Sequence, residues 1–128
     1  MLTTLAIEGY RSLRHMVVPL APLTVVTGAN GTGKSSVYRS LRLLAEASRN
    51  GSIAALAREG GLPSVLWAGP ENGTPDGFPA QGTRRTGPVA LRLGFASDEF
   101  SYAIDFGLPV PGDRTMFSRD PEIKVESV

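Results

Sequence analysis

One lysine and two serines stand in a glycine-rich stretch, 27-TGANGTGKSS-36, and this combination could bind phosphate. Gly28, Gly33, Lys34 and Ser35 occupy the fixed places of the pattern G-x-x-x-x-G-K-[ST]. In such a loop glycine lets backbone N–H groups surround phosphate oxygens, lysine brings a positive charge to the outer phosphates, and the serine hydroxyl is a ligand of Mg²⁺. The pattern therefore predicts a phosphate-binding loop, with Lys34 as the catalytic residue and Ser35 as the metal ligand.

The segments on either side of this loop have the patterns expected of elements that position it. An apolar, β-branched run, 23-LTVV-26, precedes the loop and predicts a strand. After Gly33 the apolar residues recur with a helical period, and Asn50-Gly51 is typical of a helix end. The start of a helix presents unpaired N–H groups and partial positive charge to an anion. This context favours a phosphate site over the alternative, a strand-to-helix turn with a solvated lysine.

The rest of the first half contains shorter elements. Residues 2–8 alternate apolar and polar side chains and predict a strand. Residues 17–20 predict a short extended piece that two nearby prolines keep irregular. Residues 52–59 predict one or two further helical turns.

The second half begins with a segment that has no period. Residues 60–88 hold seven glycines and five prolines, which predicts a loop insertion. Residues 89–106 then alternate around a short polar turn and predict a β-hairpin with one apolar face. A second proline-rich loop, 107–121, leads to a strand-like piece at 122–128.

The composition is that of a globular protein with little net charge. Apolar residues make up 41% and charged residues 20%, and the formal net charge is +1, so no strong overall field favours nucleic acid or a membrane surface. Without cysteine the chain has no disulfide, thiolate zinc site or cysteine nucleophile. No apolar stretch reaches the roughly 18 residues of a membrane span, and the N-terminus lacks the features of a secretory signal. We therefore expect a cytoplasmic location and no membrane partner.

Two further stretches connect the loop with a known family. Residues 7-IEGYRSL-13 open the chain, and 21-APLTVV-26 leads into the loop 28-GANGTGKSS-36. Together they resemble the N-terminal lobes of the ABC-type ATPase heads of RecF, SMC and the related "AAA family" ATPases, which share an opening "I-x-x-F-R-S-L" and a later "PLT-hydrophobic-G-x-N-G-x-G-K-S". The resemblance is specific over residues 1–49 and looser to residue 106. It implies an α/β P-loop NTPase lobe, here residues 1–128, with a mixed, partly antiparallel sheet around a P-loop helix.

The resemblance also implies the ligands and their contacts. The cofactors would be ATP and Mg²⁺. The arginine of the opening motif, Arg11, would reach the phosphates, although a solvated charge at a strand end is the alternative. Tyr10 beside it is expected to pack in the core. The implied nucleotide-binding set is Arg11, Gly28, Asn30, Gly31, Thr32, Gly33, Lys34, Ser35 and Ser36.

Other parts of such heads are missing from this sequence. No run of four apolar residues ends in Asp-Glu as a Walker B element does, no L-S-G-G signature is present, and the only histidine, His15, precedes the loop. In the family these parts follow the hairpin, so we expect the chain to be the N-terminal lobe of a longer ATPase. Gln81 lies in the glycine- and proline-rich segment and is not expected to be the family's Mg²⁺-binding glutamine.

The resemblance implies that the full-length protein hydrolyses ATP at a composite site between two heads, which form a homodimer when ATP is bound. The alternative is a nucleotide-dependent module that binds DNA or a partner protein, with incidental turnover. Asp105-Phe106-Gly107 spells a kinase metal motif, but the catalytic-loop His-Arg-Asp that must accompany it is missing. A GTPase would need a base-reading Asn-Lys-x-Asp, which is also missing.

Overall fold

A computed structural model describes residues 1–67, 69, 90–108 and 121–128. The described residues form five strands and three helices, which are, in chain order, β1 (Leu2–Tyr10), β2 (Leu13–Pro19), α1 (Lys34–Asn50), α2 (Ser52–Arg58), α3 (Leu62–Val65), β3 (Ala90–Ser97), β4 (Ser101–Gly107) and β5 (Glu122–Ser127). None of these three helices has the length and hydropathy that crossing a bilayer requires.

The strands form one sheet with the order β2-β1-β3-β4-β5. Every neighbouring pair is antiparallel. The hairpin of β3 and β4 confirms the prediction for residues 90–106, while residue 89 lies outside the described residues. The α/β class is therefore confirmed, but the parallel part of the predicted mixed sheet is not found among the described strands.

One face of the sheet packs against the helices and forms the core. Alternate residues of β1, β3 and β4 point to this face because successive side chains of a strand lie on opposite sides. The buried apolar residues from strands and helices include Leu5, Ile7, Leu91, Leu93, Ile104, Phe106, Leu43, Leu44, Leu56 and Leu62. Burial of each such side chain stabilises the fold by about 1.5–3 kcal/mol. Tyr10 is fully buried at the end of β1, as predicted for a packing aromatic.

Helix α1 begins after Gly33 and ends before Gly51, as predicted. Gly51 has a positive φ of 84° and donates its N–H to the Ala47 carbonyl at 3.0 Å. The buried face includes Ser36 and Ser40, whereas Ala45 is exposed. Ser40 tolerates full burial because its hydroxyl donates to the Val37 carbonyl at 2.7 Å.

The predicted strand at residues 23–26 is not formed. Leu23, Val25 and Val26 are 82%, 73% and 48% exposed and belong to no strand. Their composition favours an extended chain, but a strand also needs a neighbour with which to exchange hydrogen bonds, and none of the described strands pairs with this run. The prediction from composition was therefore wrong here, because pairing depends on tertiary contacts.

The predicted loop at 60–88 contains structure at its beginning. Helix α3 occupies Leu62–Val65, Leu66 forms an isolated antiparallel bridge with Tyr10, and Trp67 donates its N–H to the Gly9 carbonyl at 2.8 Å. Trp67 is half-buried with the Arg14 guanidinium 5.3 Å from its ring centre. The rest of the predicted insertion, including Gln81, lies outside the described residues.

Candidate phosphate-binding site

The loop before α1 has a backbone that requires glycine. Gly31 and Gly33 have φ values of 82° and 104°. A Cβ atom at Gly33 would lie 2.7 Å from Leu13 Cδ2 and 3.3 Å from Ser12 Oγ, so a larger residue would collide with the turn between β1 and β2. Gly31 faces open space, since no heavy atom of the described residues lies within 4 Å of a Cβ built there. The loop is thus packed against the fold at one glycine and open to a ligand at the other.

A cavity of about 300 Å³ lies at the start of α1. It is lined by Ser12, Asn30, Gly31, Gly33, Lys34, Ser35 and Ser36. Six of these residues are in the set predicted from the sequence. None of the lining side chains is a carboxylate, and the first turn of a helix has N–H groups without intrahelical acceptors. A cavity with amide, hydroxyl and ammonium donors and no carboxylate fits the phosphates of a nucleotide.

The Lys34 side chain folds back over the loop. Its Nζ atom donates to the carbonyl oxygens of Gly28 and Ala29 at 2.5 and 2.6 Å. Thr32 also closes the loop on itself, since its hydroxyl donates to the Ala29 carbonyl at 2.8 Å. Neither of the predicted residues Gly28 and Thr32 lines the cavity: Thr32 closes the loop through the Ala29 carbonyl, and Gly28 provides one of the two carbonyls that Lys34 contacts.

Ser12 is a cavity residue that the sequence reasoning did not select. Its hydroxyl lies 2.8 Å from that of Ser36, which is buried in the first turn of α1. This contact ties the turn of the opening motif to the start of the helix. The sequence contained a signal for Ser12, because it is the serine of the "F-R-S" motif from which Arg11 was chosen.

Arg11 lies beside the site but does not line the phosphate cavity. Its backbone has a φ of 49°, the one positive value at a non-glycine residue in the described part of the chain, and its N–H donates to the Val65 carbonyl at 2.7 Å. The guanidinium donates through Nη2 to Glu59 Oε2 at 2.5 Å and through Nε to the Tyr10 hydroxyl at 3.3 Å. The Tyr10 hydroxyl donates to the same Glu59 oxygen at 3.2 Å. The Arg11 side chain is therefore held by Glu59, a residue that the sequence reasoning did not select, and not by a residue of the phosphate cavity.

The three side chains perturb one another's ionisation. Burial raises the pKa of Tyr10. The hydrogen bond to Glu59 raises the pKa of Arg11. Burial alone would raise the pKa of Glu59, but the hydrogen bond and charge of Arg11, helped by Tyr10, lower it overall. The cluster thus holds a charged carboxylate next to a charged guanidinium.

Comparisons with known proteins identify the family of the chain. A family model described as an AAA ATPase domain matches residues 1–99. An OLD nuclease of Thermus scotoductus (strain ATCC 700910 / SA-01) is 39% identical over 44 residues, which is 34% of this chain and 8% of the relative. This chain therefore spans a small part of that relative's length.

No solved structure matches the chain. The family match nevertheless extends from the first strand through the loop, α1 and the whole of β3. It confirms the resemblance to AAA-family ATPases that the loop and the opening motif indicate. The chain belongs to the AAA ATPase domain family.

Proposed function

We propose that this chain binds ATP with Mg²⁺ through residues 28–36. The proposal rests on one observation, the cavity at the start of α1 that Lys34, Ser35 and Ser36 line together with open backbone at Gly31. The site contains donors matched to phosphate oxygens, and the chain belongs to a family of ATPases.

Each residue has a distinct role in this proposal. Lys34 exchanges the carbonyls of Gly28 and Ala29 for oxygens of the outer phosphates, which it can do by moving only its side chain. The backbone N–H groups of the loop and of the first helical turn bind the remaining oxygens. Ser35 is exposed at the mouth of the cavity and is the Mg²⁺ ligand. When bound, Mg²⁺ supplies positive charge that neutralises the phosphate oxygens.

We further propose that hydrolysis belongs to the full-length protein. The carboxylates that orient Mg²⁺ and the attacking water would come from a Walker B element that residues 1–128 do not contain. As in the ABC-type heads of RecF and SMC, the complete site would form between two copies, so that ATP favours a head-to-head homodimer. The phosphates of ATP would then raise the population of the dimer, because they would make contacts that exist only in the dimer.

The alternative is a nucleotide-dependent binding module for DNA or a partner protein. The relative is named a nuclease, which within this alternative favours nucleic acid as the partner. A gel-shift assay with double-stranded DNA, with and without ATP, separates the two functions. ATP-dependent retention of DNA without measurable hydrolysis by the full-length protein would support the alternative.

Substitution of Lys34 tests the primary proposal. Loss of a hydrogen bond to a charged group costs about 1.5–3 kcal/mol. Lys34 already has two carbonyl partners without ligand, so we expect Lys34→Ala to lose the lower part of this range, about tenfold in ATP affinity. Titration calorimetry with Mg²⁺ and ATP measures the effect. Arg49→Ala, at an exposed position in the last turn of α1, is the control. Equal affinities of the Lys34→Ala variant and the unaltered chain would refute the site.

A further inference from the structure

A second cavity adjoins the phosphate cavity and continues along α1. Its volume is about 630 Å³, and it is lined by Lys34, Ser35, Tyr38, Arg39, Arg42 and Glu59. Lys34 and Ser35 line both cavities. A ligand that places its phosphates at the start of α1 can therefore extend directly into this second space.

Tyr38 gives the second cavity a flat apolar surface. It lies one helical turn after Lys34, about 6 Å further along the axis. Its side chain is 67% exposed, although large aromatic residues normally bury most of their surface. Side chains on a helix lean toward its N-terminus, which brings the Tyr38 ring toward Lys34. An exposed ring at this distance from a phosphate site can stack on a nucleobase.

Glu59 gives the second cavity a carboxylate acceptor that is held in place. Both hydrogen bonds that hold its carboxylate, from Tyr10 and Arg11, end on Oε2. Within the described parts of the chain no hydrogen bond reaches Oε1. Tyr10 is fully buried, and the Arg11 backbone is fixed by its bond to Val65, so the two donors are themselves held in place. The carboxylate is thus oriented on one side and available to a ligand through its other oxygen.

The second cavity contains charges of both signs. Lys34, Arg39 and Arg42 are cationic, and among the described residues that line it Glu59 is the one carboxylate. A phosphate is attracted to Lys34 and repelled by Glu59. A neutral group with hydroxyl donors has the opposite preference, since a carboxylate accepts such hydrogen bonds strongly. Beside Glu59 itself a hydroxyl donor is favoured, and the N–H groups at the start of α1 favour the phosphates there, while Arg39 and Arg42 leave the rest of the second cavity cationic.

We propose that the cavity beside the phosphate loop is the nucleoside subsite, in which the Tyr38 ring stacks on the base and Glu59 accepts hydrogen bonds from the ribose hydroxyls. Arg11 is then a positioning residue that orients Glu59 and does not itself contact phosphate. This inference rests on the proposed binding of a nucleoside triphosphate and adds the part of the ligand that the phosphate loop cannot recognise.

Three ligands distinguish the parts of the site in titration calorimetry with Mg²⁺: ATP, 2′,3′-dideoxy-ATP and inorganic tripolyphosphate. The unaltered chain is expected to bind them in that order of decreasing affinity. Tyr38→Ala should weaken both nucleotides about tenfold and leave tripolyphosphate unchanged. Glu59→Ala should remove the preference for ATP over the dideoxy analogue, which we expect to be about tenfold. Lys34→Ala should weaken all three ligands.

The role of Arg11 has its own readout. Arg11→Ala should reduce the preference for ATP over the dideoxy analogue without changing tripolyphosphate affinity, and Arg11→Lys, which keeps a charged donor, should restore part of it. A purely structural effect of Arg11 would weaken all three ligands together. Phe100→Ala, at an exposed aromatic distant from the loop, and Glu99→Gln are the matched controls.

The results also separate this inference from the function on which it rests. If the unaltered chain binds neither ATP nor tripolyphosphate, the phosphate site itself is refuted. If both bind and Lys34 matters, but Tyr38→Ala leaves the ratio of their affinities unchanged, only the nucleoside subsite is refuted. Tyr38 is largely exposed, so its replacement tests the inference even if the Glu59 variant fails to fold.

Discussion

Replacement of Gly33 by alanine should damage both the fold and the phosphate loop. The new methyl group would stand at a φ of 104°, outside the conformations that L-residues adopt readily. It would also lie 2.7 Å from Leu13 Cδ2 and 3.3 Å from Ser12 Oγ. Leu13 is buried and Ser12 is bonded to Ser36, so neither can move away without loss of packing or of that hydrogen bond.

The magnitude has a backbone part and a packing part. The left-handed conformation costs an L-residue about 1–2 kcal/mol of stability. Alanine also lowers the conformational entropy of the unfolded chain, which returns about 0.4–1 kcal/mol of stability to the variant. Overpacking of a filled site adds a cost of about 1–3 kcal/mol. We therefore expect Gly33→Ala to lower the free energy of unfolding by about 3 kcal/mol, within a range of about 1–5 kcal/mol.

Gly31→Ala is the matched control because it changes the same residue type in the same loop. Gly31 also has a positive φ, 82°, but its Cβ would meet no atom of the described residues within 4 Å. It should cost only the backbone part, about 1 kcal/mol or less. Urea unfolding measures both variants. Equal losses of stability for the two variants would refute the packing argument at Gly33.

The contacts of Arg11 and the missing Walker B element lead to three other expectations. Arg11→Ala should weaken ATP binding in calorimetry about tenfold and Arg49→Ala should not; equal effects would remove Arg11 from the site. Burial alone would raise the pKa of Glu59, but Arg11 lowers the pKa overall, below the ordinary value of 4.5. The ion pair therefore stabilises the fold above pH 4.5, and this contribution is lost as the pH falls through the lower pKa of the folded state. Glu59→Gln should therefore be less stable than the unaltered chain at pH 7 in urea unfolding, and the difference should shrink in acid; a difference independent of pH would contradict the ion pair. The chain alone should release phosphate from ATP far more slowly than the enzyme median of roughly 10 per second, and turnover near that value would show that no further carboxylates are needed.

The parts of the fold that the sequence predicted well depend on local pattern. The helix after Gly33, its end at Asn50 and the hairpin at 90–106 follow from period and from glycine, both of which act over a few residues. The loop residues of the site were assigned from the same kind of local pattern, because the glycine, lysine and serine positions of a phosphate loop are fixed in sequence, and their binding of phosphate stays a prediction.

The parts that the sequence did not predict depend on contacts between distant residues. The run at 23–26 has strand composition, but composition contains no information about whether a neighbour exists. Glu59 lies 48 positions from Arg11, and only the packing of α2 and α3 against the end of β1 brings their side chains together. Tyr38 follows the loop immediately, but the sequence shows neither its exposure nor the cavity beside it.

The exposed run at 23–26 has a consequence for how tightly a ligand can bind. From the side of α1 the loop is anchored by the helix and by the bond between Ser12 and Ser36. On its N-terminal side the chain enters the loop through Leu23, Val25 and Val26. These side chains are exposed by about half or more and have no strand partner among the described residues. Where ligand binding orders this segment, each backbone residue that loses its freedom costs about 1–2 kcal/mol. Any contact that covers these three side chains would order the segment before the ligand binds. The affinity of the loop for its ligand would then rise although no atom that touches the ligand had changed.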